Sequence, residues 1–328
     1  MAQIVLGVGS SHGPQLRIPP DKWHLLLEKD QKDPRYNYDE VLSRANPKVR
    51  DELTEGVFKK KYDACQEALA KLRETFSRAS PDCVVIIGDD QHEQFWEDNM
   101  PMFSIYYGET VEQKGRNPGE RMGHSVPGAP TRWWNAEAAY PREEDRTFAC
   151  NSGFARHLLK EIIAGGFDPA SSNKLKPEIG LGHAFTFIAN HIMPWDGIPI
   201  VPVMINAFFP PNRPLPGRCY ALGKAIGEAI KKWSPDKKVA VIASGGLSHF
   251  IIDEEIDRML LDGLLSKNRD KLSSLPVERL LVLGTGEGLN WIVAGGASDH
   301  LRPDLIDYVP CYRTPAGTGC AMAFMQWT

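Results

Sequence analysis

Four histidines stand where apolar runs of this chain give out. His12 follows residues 4–9, His92 follows the run Val84-Val85-Ile86-Ile87, His183 follows residues 178–182, and His249 closes Ser244-Gly245-Gly246-Leu247-Ser248-His249 after residues 238–243. The chain has nine histidines, and chance would put most of them on helix surfaces or in loops. Four at the ends of apolar runs point to one shared site, because imidazole both titrates near neutral pH and binds metals. Two neutral imidazoles and one carboxylate on one face of a metal leave three positions open. That set suits non-haem Fe(II), which must take an organic substrate and dioxygen together. His12 and His92 are candidates for the imidazoles. Asp89 and Asp90 precede His92 in the same turn, where a carboxylate such as Asp90 would orient a ligand from behind. The carboxylate ligand must then come from elsewhere, and Glu287, in Gly284-Thr285-Gly286-Glu287-Gly288-Leu289-Asn290-Trp291, is a candidate. An acid at a helix start is also favoured by the helix dipole, so spacing alone leaves both roles open for Glu287.

Groups placed this way need strands that end together, and open α/β sheets bind ligands beyond the carboxyl ends of their strands. Strand-like runs do alternate here with helical patterns. Val57, Cys65, Leu69, Leu72 and Phe76 recur at helical spacing, as do Phe154, Leu158, Leu159 and Ile162 ahead of Gly165-Gly166, and residues 220–233 form a third helical pattern. Residues 198–205 read as a strand whose Pro199 and Pro202 predict an edge position or irregular pairing. The expected fold is α/β, a mixed, mainly parallel central sheet with helices on both faces, in one catalytic domain over residues 1–328. Two segments interrupt the order. Residues 111–146, with Trp133-Trp134, predict a long loop that is a lid or a subunit contact, and residues 17–46, with Pro19-Pro20 and dense charge, predict a surface excursion.

Composition narrows the partners. A net charge of -4 with scattered Lys and Arg leaves no basic stripe for nucleic acid or an anionic membrane. The apolar runs are strand-sized and the first residues lack a signal-peptide pattern, so a cytoplasmic location is expected. Six cysteines without C-x-x-C spacing read as free, buried thiols. Among the other histidines, His24, His157 and His300 read as surface residues and His191 as a hydrogen-bonded core residue; His124 would reach the site only if the long loop folds over it.

In this order, Ser11-His12-Gly13-Pro14, Asp90-Gln91-His92, Gly182-His183-Ala184-Phe185, Gly245-Gly246-Leu247-Ser248-His249 and Glu287 ahead of Trp291 resemble the type II (class III) extradiol ring-cleavage dioxygenases, a superfamily that includes protocatechuate and gallate dioxygenases. The resemblance runs from His12 to about residue 297. It implies Fe(II) held by His12, His92 and Glu287, an acid/base pair in His183 and His249, a catechol-type aromatic substrate, dioxygen as co-substrate, and a homodimer or larger assembly. One departure stands out. Relatives commonly carry Asp-His directly after this strand, so an ungapped alignment places Gln91 at the ligand position. His92 is preferred because imidazole binds Fe(II) far better than a neutral amide. Phe185, Phe187, Phe208 and Phe209 are candidates for an aromatic slot and equally for ordinary core. A substrate carboxylate would need Arg121, Arg132 or Arg313, each of which otherwise reads as a surface arginine. An aminophenol dioxygenase, a DOPA-type dioxygenase using another metal, and a Memo-like metal-binding or signalling protein are rival readings. The two further histidines beside a candidate triad favour catalysis over binding.

Overall fold

The computed structural model describes residues 1–115, 140–193, 197–233 and 236–328. Its main sheet orders β10 (Pro303–Tyr312), β11 (Thr318–Trp327), β1 (Gln3–Ser10), β8 (Lys238–Ser244), β2 (Cys83–Asp89), β7 (Ile200–Ile205), β3 (Phe103–Tyr106) and β6 (Ala170–Ser172), with β9 (His249–Ile251) added along β11. The centre is parallel: β8 pairs with both β1 and β2, and β2 with β7. The flanks turn antiparallel where β11 meets β1 and where β3 meets β7. This is the mixed, mainly parallel α/β sheet expected from the sequence.

Side chains alternate across each strand, so each buried strand feeds two cores. Leu6, Val8, Val84, Ile86, Ala240 and Ile242 face one layer, which contains Leu69, Leu72 and Phe76 of the helix Glu55–Ala79 and Ala184, Phe185 and Ile188 of the helix His183–His191. Ile4, Val85, Ile87, Val239, Val241 and Ala243 face the other. It contains Phe154 and Leu158 of the helix Ser152–Ala164, Leu222 and Ile226 of Pro216–Lys231, and Leu289 to Ala294 of Gly288–Ala297.

Three expectations change. The strand with Pro202 lies inside the sheet, between β2 and β3. Its ladder with β3 spans Val203 to Ile205 and stops one residue short of Pro202, so the proline needs no donor there. Residues 17–46 are not simply surface: Trp23 and Leu26 are buried, and so are Lys29, Asp30 and Asp33. Their charges are paired within the protein, and Arg313, read as a surface arginine, donates Nε and Nη2 to Asp30 at 2.7 and 2.8 Å. Within residues 111–146, β4 (Thr110–Gln113) pairs antiparallel with β5 (Arg146–Ala149), so the segment is bracketed by a two-stranded ladder. His124, Arg121, Arg132, Trp133 and Trp134 lie outside the described residues. All six cysteines are free thiols, five of them buried. Among the described residues no helix is long and apolar enough to cross a membrane.

Candidate active site

Three neighbouring parallel strands, β1, β8 and β2, end at one place and deliver His12, Ser244 and Asp89 there. His183 does not follow a strand as expected; it opens the helix His183–His191, which leans over the same strand ends. Glu287 closes the short 3-10 turn Leu283–Glu287, and His249 begins β9. All five acidic and imidazole groups are buried except His183, which is partly so.

Hydrogen bonds hold each imidazole by its Nδ1. Ser244 Oγ donates to Ala184 O at 2.6 Å, so it can only accept from His12 Nδ1–H, 2.9 Å away. On the other side of the ring His12 Nε2 faces Glu287 Oε2 at 3.4 Å. His183 is held in the same way: its Nδ1 lies 3.0 Å from Glu93 Oε1, which also accepts the helix-opening His183 N–H at 2.8 Å. A Cβ on the preceding residue, Gly182, would stand 2.4 Å from Glu93 Oε2, so glycine is what lets this carboxylate approach the helix end. His249 donates Nδ1–H to Leu247 O at 2.8 Å and lies with Nε2 3.1 Å from Glu287 Oε1. The Glu287 carboxylate is anchored from behind by the Gly246 N–H at 2.6 Å.

Gln91, not His92, reaches into this cluster. Its Nε2 donates to Asp89 Oδ2 and Glu287 Oε1, each at 3.1 Å, and stands 3.5 Å from His183 Nε2. His92 has a left-handed φ of 62°, and its ring is stacked between Trp96 and Phe209 at centroid distances of 4.5 and 3.7 Å, with Nε2 3.0 Å from Glu97. The turn after β2 thus sends the amide inward and the imidazole away, the one-residue slip that reverses a side chain's direction. Asp90 is equally removed from ligand duty: it accepts the Gln94 and Phe95 N–H groups at 2.8 and 3.2 Å and ties the turn together. Phe185 packs in the core beneath Gly88, whereas Phe187 comes within 6.3 Å of the His12 ring.

Electrostatics follow from burial among mixed charges. Burial and the neighbouring Glu287 push Asp89 up to about 6, against the pull of His12 and His183. Burial and Glu93 push Asp90 up to about 7. Burial would also raise Glu287, but the His249 and His12 imidazoles outweigh it and hold the carboxyl well below its usual range. For His183, burial favours the neutral ring, and Glu93, Asp89 and Glu287 overcome it, raising the group to about 9. His249 is likewise raised well above an ordinary histidine, chiefly by Glu287 against burial.

The donor set suits a divalent cation: imidazole nitrogens with their far sides committed, and carboxylate oxygens facing them in a buried space. Among the described residues, the trio whose ligand atoms all lie within 4.8 Å of one another is His12, Asp89 and His183. Sequence reasoning passed over Glu93 and Ser244, read Asp89 with Asp90 only as support for a ligand, and set Gln91 aside in favour of His92. The available signal was polarity at the ends of runs that are otherwise wholly apolar, as at Asp89 after residues 83–88 and Ser244 after residues 239–243.

Comparison with known proteins gives a consistent picture. A family model described as the catalytic LigB subunit of aromatic ring-opening dioxygenase matches residues 41–318, leaving β1 and His12 before its start. Gallate dioxygenase of Pseudomonas putida is 29% identical over 189 residues, covering 54% of this chain and 53% of that protein. The 2,3-dihydroxyphenylpropionate/2,3-dihydroxicinnamic acid 1,2-dioxygenase of Rhodococcus sp is 27% identical over 208 residues, covering 61% of this chain and 56% of that protein. The protein of that name from Escherichia coli is 26% identical over 214 residues, covering 63% and 57%. The chain spans a little over half the length of these curated relatives.

Proposed function

This chain belongs to the family of the catalytic LigB subunit of aromatic ring-opening dioxygenases, and on that premise we propose that it is an Fe(II)-dependent extradiol dioxygenase that opens the ring of a catecholic or gallate-like compound with O2. The observation that carries the reading is the meeting of His12, Asp89, His183, His249 and Glu287 beyond the ends of three parallel strands, with His12 Nε2 3.4 Å from Glu287 Oε2. His12 and the carboxylates beside it would hold the metal. Bound Fe(II) supplies a Lewis-acidic, redox-active centre with open positions for both substrate and dioxygen.

The chain's own groups handle protons and placement. His249 rests against Glu287 and the Leu247 carbonyl as a proton-bearing imidazole. It can therefore donate a proton to an oxygen of the opening ring, and Glu287 stabilises its charged form until then. Phe187, within 6.3 Å of His12, offers an apolar edge for a planar substrate.

The test is oxygen uptake after anaerobic loading with Fe(II), on protocatechuate, gallate, 3-O-methylgallate, 2-aminophenol and alkyl catechols. One O2 consumed per ring opened on at least one catechol is the expected result. Uptake no faster than with free iron on every compound would overturn the reading.

A further inference from the structure

Resting on the reading of this site as a metal centre, we propose that His183 is a metal ligand in this chain, and that His12, Asp89 and His183 form its two-imidazole, one-carboxylate clamp. The resemblance gives the second imidazole to His92 and a proton-transfer role to His183. The geometry points the other way. His92 cannot turn inward without leaving the stack between Trp96 and Phe209 and reversing a left-handed backbone turn. Gln91, which takes the inward position, brings only an amide, a far weaker donor to a transition metal than imidazole.

His183 has what the position requires. Its ring lies 4.8 Å from that of His12, edge to face. Its Nδ1 is held by the Glu93 carboxylate, as His12 Nδ1 is held by Ser244. A carboxylate or hydroxyl behind each ring fixes the tautomer that presents Nε2 forward, the arrangement that metal-binding histidines use. The acceptors in front also converge: Asp89 Oδ2, Glu287 Oε1 and His183 Nε2 surround the single nitrogen of the Gln91 amide at 3.1, 3.1 and 3.5 Å. Lone pairs gathered around one donor are what a cation would take over when the Gln91 side chain withdraws. Three carboxylates, Asp89, Glu287 and Glu93, stand beside the three imidazoles of His12, His183 and His249, so oxygen donors are at hand for a cation. Proton transfer then falls to His249.

Metal binding tests this without turnover. Chelator-stripped protein is titrated anaerobically with Fe(II), and with Mn(II) for pulsed EPR, which counts coordinated imidazole nitrogens. Wild type is expected to show two such nitrogens and His183→Gln one. His183→Ala and Asp89→Asn should weaken metal binding by more than the roughly 10- to 100-fold that losing an outer partner costs, while His92→Ala stays within about threefold of wild type. Retention of wild-type affinity by His183→Ala, loss of metal from a folded His92→Ala protein, or no metal bound by wild type would each overturn the proposal. The nitrogen count keeps the test decisive if a variant folds poorly, because His183→Gln and His92→Ala are read against the same wild-type spectrum. Ring opening by a protein with a single imidazole nitrogen on its metal would remove this proposal alone. The expected ligand pattern with no catechol opened would support it and remove the ring-cleavage reading.

Discussion

Gly284→Ala should cripple the site while leaving its metal in place. Residue 284 lies in the 3-10 turn that ends at Glu287, and a Cβ there would fall 2.0 Å from both Cδ2 and Nε2 of His249. Carbon atoms in contact settle at about 3.5–4.0 Å, so the imidazole must retreat by roughly 1.5 Å. Retreat is opposed on the other nitrogen, which is held 2.8 Å from Leu247 O. A misplacement near 1 Å costs a catalytic group about 100-fold, and overpacking a filled interior costs about 1–3 kcal/mol of stability. We therefore expect kcat/KM on the best catechol to fall by about 100-fold or more, with metal stoichiometry unchanged and the urea midpoint moderately lowered. Gly56→Ala is the matched control, since nothing lies within 4 Å of its added Cβ; it should leave rate and metal content alone. A Gly284→Ala enzyme with wild-type rate and pH profile would show that His249 does not act from the position described.

Ser244→Ala removes the acceptor of His12 Nδ1–H and should weaken Fe(II) binding by about 10- to 100-fold; an unchanged dissociation constant by anaerobic titration would mean that Ser244 does not set the tautomer. Asp30→Asn leaves the buried Arg313 guanidinium, now bound at 2.7 and 2.8 Å, without its counter-charge and should destabilise by about 3–5 kcal/mol in urea unfolding; a loss below about 1 kcal/mol would count against the pairing. Burial, with Arg17 and Arg73 adding to it against Glu143, pushes His191 down to about 4. Because its folded value lies below the unfolded value of about 6.5, the unfolded chain takes up the proton first as pH falls, so stability should drop between about pH 6.5 and 4, by at most about 3 kcal/mol, and not further below that. His191→Phe should flatten that part of the stability–pH curve, and an unaltered slope would refute the assignment.

The central strands were legible because parallel strands covered on both faces need no polar alternation; Val84-Val85-Ile86-Ile87 and residues 239–243 could be little else. The helix Glu55–Ala79 was legible from its 3.6-residue period. What failed to show was direction beyond a strand end. Whether Gln91 or His92 points inward depends on one left-handed turn at His92, and no periodicity reports a single dihedral. The buried charges of residues 29–33 were hidden for a different reason. Asp30 reads as solvated until its partner is known, and Arg313 is 283 residues away in sequence. His12, His249 and Glu287 were brought together from the residue types and the resemblance, whereas Asp89 and Glu93 were not, since a carboxylate beside a candidate ligand reads equally as its support.

Strand β1 sits between β8 and β11, and Gln3 aligns with Lys238 while Gly7 aligns with Trp327. The segment that carries His12 therefore leaves the ribosome ahead of both of its neighbours and waits for them. At about 5–20 residues per second, β8 follows it by roughly 10–50 s. During that time Leu6 and Val8, wholly buried in the finished protein, have no sheet to enter. Residues 83–89 are made sooner but also need β8 beside them. Closure of the sheet, and with it assembly of the site, is thus a late event of high contact order, slow for its size. Nascent chains should depend on chaperones until β8 is released, and no fragment ending before residue 238 can bring His12 to its place.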